Sequence, residues 1–194
     1  MTHIYLLADL GSGYMNVNLS IQLEQLSIKL RTALGLITEK EKYSDFEQVS
    51  YEELSKYITE AFSYISIKDE IVDDTYVIKC SNTGDDTAVK DHFEIYIDKS
   101  KKDIELLIHE VAHVLFHRHN MPYNVPIGKN VGTWEQELEA NYFARAFLIP
   151  KDYFIKALSV FSRNDGTVDL ENFSKRFKVQ QKLIVERGID LKIW

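Results

Sequence analysis

Ile104-Glu105-Leu106-Leu107-Ile108-His109-Glu110-Val111-Ala112-His113-Val114-Leu115-Phe116-His117 is apolar nearly all round, the pattern of a helix buried on every side. Two histidines and a glutamate sit in its middle. Such groups are costly in a buried helix unless something satisfies them. Residues four apart on a helix lie one turn above each other on the same face. His109 and His113 therefore present two imidazoles to one point, which suits a tetrahedral Zn²⁺. Glu110 then lies near a water at that ion and can take its proton. The ion lowers the water's pKa towards neutrality and polarises a carbonyl. The bland alternative is a hydrogen-bonded pair of core histidines with a surface glutamate. The apolar flanks on both sides argue against it.

A catalytic site of this kind needs a third protein ligand and keeps a fourth position open. His119 is one source, because it completes a His-Glu-x-x-His-x-x-x-x-x-His spacing. The third-histidine pattern requires glycine where Phe116 stands, so that the helix can break. If the helix continues, His119 lies roughly 9 Å along the axis and about 240° around it from His113. It then cannot share the ion. Met121 also follows too soon to make the methionine turn of that pattern. The second source is the segment Trp134-Glu135-Gln136-Glu137-Leu138-Glu139-Ala140-Asn141-Tyr142-Phe143-Ala144. Glu137 and Asn141 share a face, and Ala140 and Ala144 lie there too. Small residues on that face let the two helices approach closely. Glu137 can then bind the ion while Asn141 supports a ligand histidine. Glu139 is the main rival. His117 extends the His109–His113 face, to orient a substrate or, more simply, to cap the helix end.

Thr133-Trp134-Glu135-Gln136 is a capping box for a helix that stops before Pro150. Met121 to Gly132 reads as a loop. Leu19, Leu23, Leu26, Leu30 and Ala33 make one apolar stripe on a helix over about 19–34, with Gly35 as its stop. Ser50-Tyr51-Glu52-Glu53 opens a second helix, to about Ile65. Tyr76 to Cys80 is rich in β-formers, Ser81 to Asp86 is a turn, and Phe93, Ile95 and Ile97 alternate with polar neighbours. A small sheet is expected between residues 70 and 98. Short helices over 151–161, 168–177 and 179–187 close the chain. The organisation expected is an N-terminal helical region, 1–70, packed on a core, 71–194. The charged stretch Thr38 to Asp45 is the weak candidate for a boundary.

Composition sets limits. The 194 residues carry a net charge of −7, and a sequence-independent grip on nucleic acid needs a basic surface instead. Lys99, Lys101 and Lys102 have Asp98 and Asp103 beside them and read as a solvated turn. Lys175, Arg176, Lys178, Lys182 and Arg187 would be the only DNA-binding surface, against the charge of the whole chain. The single cysteine, Cys80, permits no intrachain disulfide and reads as a half-buried structural thiol. No stretch is long and apolar enough to span a membrane. Met1 to Leu10 lacks the basic start of a signal peptide, so a cytoplasmic setting is expected.

His109-Glu110-Val111-Ala112-His113-Val114-Leu115-Phe116-His117, together with Glu137 to Ala144 and the closing Phe147-Leu148-Ile149-Pro150, resembles the ImmA/IrrE metallo-endopeptidases. Phe177-Lys178-Val179 and Arg187 resemble that family's tail. The resemblance covers about residues 76–191. It implies an α+β, mostly helical, zincin-like fold with a small sheet next to the active-site helix. It implies Zn²⁺ on His109, His113 and Glu137, a third ligand of the gluzincin type, although a His₂Glu set also accepts Mn²⁺ or Fe²⁺. Glu110 would be general base and then acid. The family's substrate is typically a helix-turn-helix repressor, whose cleavage derepresses stress genes or a prophage or other mobile element. The substrate is expected to lie extended beside the strand Phe93 to Ile97. Tyr142, Tyr123 and His119 are candidates to stabilise the oxyanion. The alternative function is a metal-stabilised interaction module that binds a repressor or a toxin–antitoxin partner with little proteolysis. A pure binding module has no need of Glu110.

Overall fold

In the computed structural model, residues 17–36, 48–72, 75–81, 91–124, 126–128 and 133–194 are described. The Thr38 to Asp45 stretch, most of the Ser81 to Asp86 turn and Met1 to Leu10 lie outside them.

The helix α1 spans Val17–Ala33 and buries Leu19, Leu23 and Leu30. Leu26 is only half-buried and Ala33 is exposed; Ser27 and Arg31 complete the inward stripe. Gly35 ends it in the left-handed region, at φ +71°. The N–H of Gly35 donates to Thr32 O and that of Leu36 to Arg31 O, the Schellman pattern that satisfies the last carbonyls. The helix α2, Tyr51–Ala61, opens on the expected capping box between Ser50 and Glu53.

Four strands follow: β1 Ile65–Glu70, β2 Tyr76–Ser81, β3 Asp91–Asp98 and, later in the chain, β4 Pro126–Gly128. Their order is β1-β3-β2-β4. β1 is parallel to β3, with Ile65 opposite Phe93 and Ile67 opposite Ile95. β2 is antiparallel to both β3 and β4. The sheet thus extends beyond the expected limits of 70 and 98 at both ends. Ala61 and Ile65 are four apart and read as one helical face, yet they belong to two elements. β1 joins the N-terminal third of the chain to the sheet. β4 has three residues, too few to display alternation, and it is an outer strand among the described residues, where a proline such as Pro126 is tolerated.

This order corrects the expected substrate track. β3 is flanked by β1 on one side and β2 on the other, so the strand Phe93 to Ile97 has no free edge for a peptide. Within the described sheet, the outer strands are β1 and β4.

Phe93, Ile95, Ile97 and Val77 are fully buried. The helix α3, Ile104–His117, packs against β2 and β3 and against α4, Trp134–Leu148. α1 packs on α4 in turn. α3 is therefore enclosed by sheet and helices, as its apolar pattern requires. The helices α5, Lys151–Phe161, α6, Leu170–Phe177, and α7, Gln181–Asp190, follow. The fold is α+β and mostly helical, with its small sheet beside α3.

Candidate metal centre

α3 starts on Asp103, whose carboxylate accepts from the N–H of Glu105 at 2.8 Å. From this cap the helix carries His109, Glu110 and His113 into the interior, at 6%, 3% and 4% exposure. Groups this buried need partners, and the next helix supplies one. α4 opens on the expected capping box between Thr133 and Gln136, and Glu137 lies in its first turn. Ala140 and Ala144 are buried, and Phe116 of α3 meets Phe143 of α4 edge to face at 5.0 Å. The small side chains allow the close approach.

The result is a convergence of three donor groups. Nε2 of His109 and Nε2 of His113 are 3.0 Å apart. Glu137 places Oε2 3.3 Å from the first and Oε1 3.3 Å from the second. Zinc–ligand bonds of 2.0–2.1 Å in a tetrahedron put neighbouring ligand atoms about 3.3 Å apart. The three groups therefore fit a zinc ion, and they are the only such group of His, Cys, Asp and Glu among the described residues.

The electrostatics agree with that use. Burial, with His109 and His117 nearby, pushes the His113 pKa down to about 3. The imidazole is thus neutral, with one ring nitrogen bare and able to serve as a ligand. Burial pushes the Glu137 carboxyl up, but the neighbouring imidazoles, His109 foremost, outweigh it, and the net shift is downward.

Asn141, one turn after Glu137, has Oδ1 3.0 Å from Nδ1 of His109. With Nε2 turned to the metal position, the Nδ1–H of His109 donates to that oxygen. His117 is buried and does not merely cap the helix: its Nδ1 is 2.9 Å from Nδ1 of His113. Its Nε2 is 3.1 Å from Oε2 of Glu139. Glu139, the rival ligand, thus faces His117 and stands outside the triad.

The other expected residues are placed elsewhere. His119 is exposed, in a 3₁₀ turn after α3. Tyr142 is buried on another side of α4, where its hydroxyl donates to Glu24 Oε1 at 2.9 Å. That hydroxyl is committed to α1, which removes Tyr142 as an oxyanion donor. Tyr123 is exposed, and its hydroxyl donates to Asp91 Oδ1 at 2.7 Å. Lys79 sits over its ring. Arg187, read as part of a possible basic surface, is fully buried.

The family model described as the IrrE N-terminal-like domain matches residues 92–187, which spans β3, α3, α4 and the C-terminal helices as far as Arg187. No curated protein matches the chain. No helix among the described residues is long and apolar enough to cross a membrane. Over residues 92–187 the chain is an ImmA/IrrE-like zinc metallopeptidase domain acting on protein, with His109, His113 and Glu137 as its metal triad.

Proposed function

We propose that the chain is a site-specific endopeptidase whose substrate is a helix-turn-helix repressor, cut in the cytoplasm to derepress stress or mobile-element genes. The observation that carries the reading is the convergence of His109, His113 and Glu137 with Glu110 buried on the same helix. Zinc held by the triad would polarise the scissile carbonyl and acidify a water. Glu110 takes the proton of the attacking water as its oxygen bonds to the carbonyl carbon. It returns that proton to the departing amine nitrogen as the C–N bond breaks. Asn141 orients the His109 ring through Nδ1. We also propose a division into an N-terminal region, residues 1–70, and a peptidase core, residues 71–194. In it, the N-terminal region is built onto the peptidase rather than tethered to it. Arg31 Nη1 donating to Phe147 O at 2.9 Å and the pairing of β1 with β3 support that arrangement.

The test is incubation of the zinc-loaded protein with purified helix-turn-helix repressors, followed by mass spectrometry of the intact chains. One internal cut, blocked by a zinc chelator, is expected. Uncut repressor held in a stable complex, whether or not Glu110 is intact, would instead support the interaction module.

A further inference from the structure

His117 and Glu139 have no role in the proton transfers of peptide hydrolysis, yet they are joined to the metal site. His117 is 8% exposed. Both its ring nitrogens are occupied, Nδ1 against Nδ1 of His113 at 2.9 Å and Nε2 against Oε2 of Glu139 at 3.1 Å. Unlike the two Nε2 atoms, which would flank a shared ion, the two Nδ1 atoms have nothing between them, so a contact of that length requires one ring to donate and the other to accept. A neutral imidazole carries one N–H, on one nitrogen only. His113 turns Nε2 towards Glu137 and His109. As a ligand that nitrogen must be bare, which leaves the proton of His113 on Nδ1. His117 must then accept at Nδ1 and carry its own proton on Nε2. The remaining neighbour is the Glu139 carboxylate, which can only accept. The three groups therefore have one consistent proton arrangement, running from His113 through His117 to Glu139. The two ligand histidines are held differently: His109 by the neutral amide of Asn141, His113 by a histidine backed by a carboxylate.

We propose that His117 and Glu139 form a positioning relay that fixes the tautomer and ring orientation of His113, and so sets the affinity of the site for zinc. The proposal rests on His109, His113 and Glu137 being the zinc ligands. It also separates His117 from substrate binding, since neither ring nitrogen is free to reach a peptide.

Zinc affinity, read by competition with a fluorescent chelator, tests it on the full chain. Partners of ligand histidines typically contribute about 10- to 100-fold in metal affinity. His117→Phe, which fills the space without an acceptor, is expected to weaken zinc binding by that factor. His117→Asn is expected to keep most of the affinity, because its Oδ1 stands in for Nδ1. Glu139→Gln should fall between them, as it keeps an acceptor but loses the charge. A second readout needs no variant: ¹⁵N NMR of the zinc-loaded protein should find His117 as the Nε2–H tautomer. His117→Phe binding zinc as tightly as wild type would overturn the relay alone. Equal losses in His117→Phe and His117→Asn, or His117 as the Nδ1–H tautomer, would do the same. Wild-type protein that takes up no zinc would overturn the ligand assignment and the relay together.

Discussion

Glu110→Gln is expected to lower peptide hydrolysis by about 10²- to 10⁴-fold, the usual contribution of a positioned general acid–base. Zinc content should be unchanged. Glutamine has the length and nearly the shape of glutamate but cannot accept the water's proton. Glu110 is outside the triad of converging donors, so its loss removes no ligand. It is 3% exposed on α3, next in sequence to a ligand histidine, so the neutral replacement should not force the helix to rearrange. His109→Ala serves as the contrasting variant and should lose zinc and activity together. Single-turnover cleavage measured beside metal analysis separates the two. Wild-type cleavage by Glu110→Gln would show that another group takes the proton.

The largest effect on stability is expected from Arg187→Ala. Arg187 is fully buried and ties three helices together. Its Nε donates to Ile149 O and its Nη2 to Glu24 Oε2, each at 2.8 Å. Nη1 lies 2.7 Å from Glu24 Oε1, an ion-pair contact that does not align as a hydrogen bond. Tyr142 donates to the same carboxylate. Removing the guanidinium leaves Glu24 partly buried without its countercharge and the end of α4 with an unmet carbonyl. Breaking a buried pair from one side costs about 3–5 kcal/mol. Urea unfolding of the zinc-free protein should register that loss. Replacing Glu24 and Arg187 together by leucine should cost less than Arg187→Ala, because no unpaired charge remains. A loss below about 1 kcal/mol in the single variant would mean that the pair is effectively solvated.

The parts of this fold legible in the sequence are those set by short-range periodicity and caps. α3 could be read from its apolar surround, and α4 from Thr133, Gln136 and Pro150. Bringing Glu137 to the histidines required the relation between two helices, and Ala140 and Ala144 carried that signal. What depends on long-range packing was not legible. β1 was hidden because Ile65 continues the helical spacing of α2. Without β1, the strand Phe93 to Ile97 would have an open edge. Tyr142 neighbours Asn141 in the chain, but the next residue on a helix points about 100° away, and this one faces α1. Glu139 lies two positions from Glu137, so its partner depends on the rotation of α4. Only its juxtaposition with His117 made the pair visible. Arg187 and Glu24 are 163 residues apart in the chain, and nothing local in either segment announces the other.

Metal content of the purified protein, by mass spectrometry at saturating zinc, decides the ligand assignment. Wild type is compared with Glu137→Ala and Glu139→Ala. About one zinc per chain is expected in wild type, still loaded though more weakly held in Glu139→Ala, and lost in Glu137→Ala. No zinc in wild type, or zinc retained by Glu137→Ala and lost from Glu139→Ala, would contradict it.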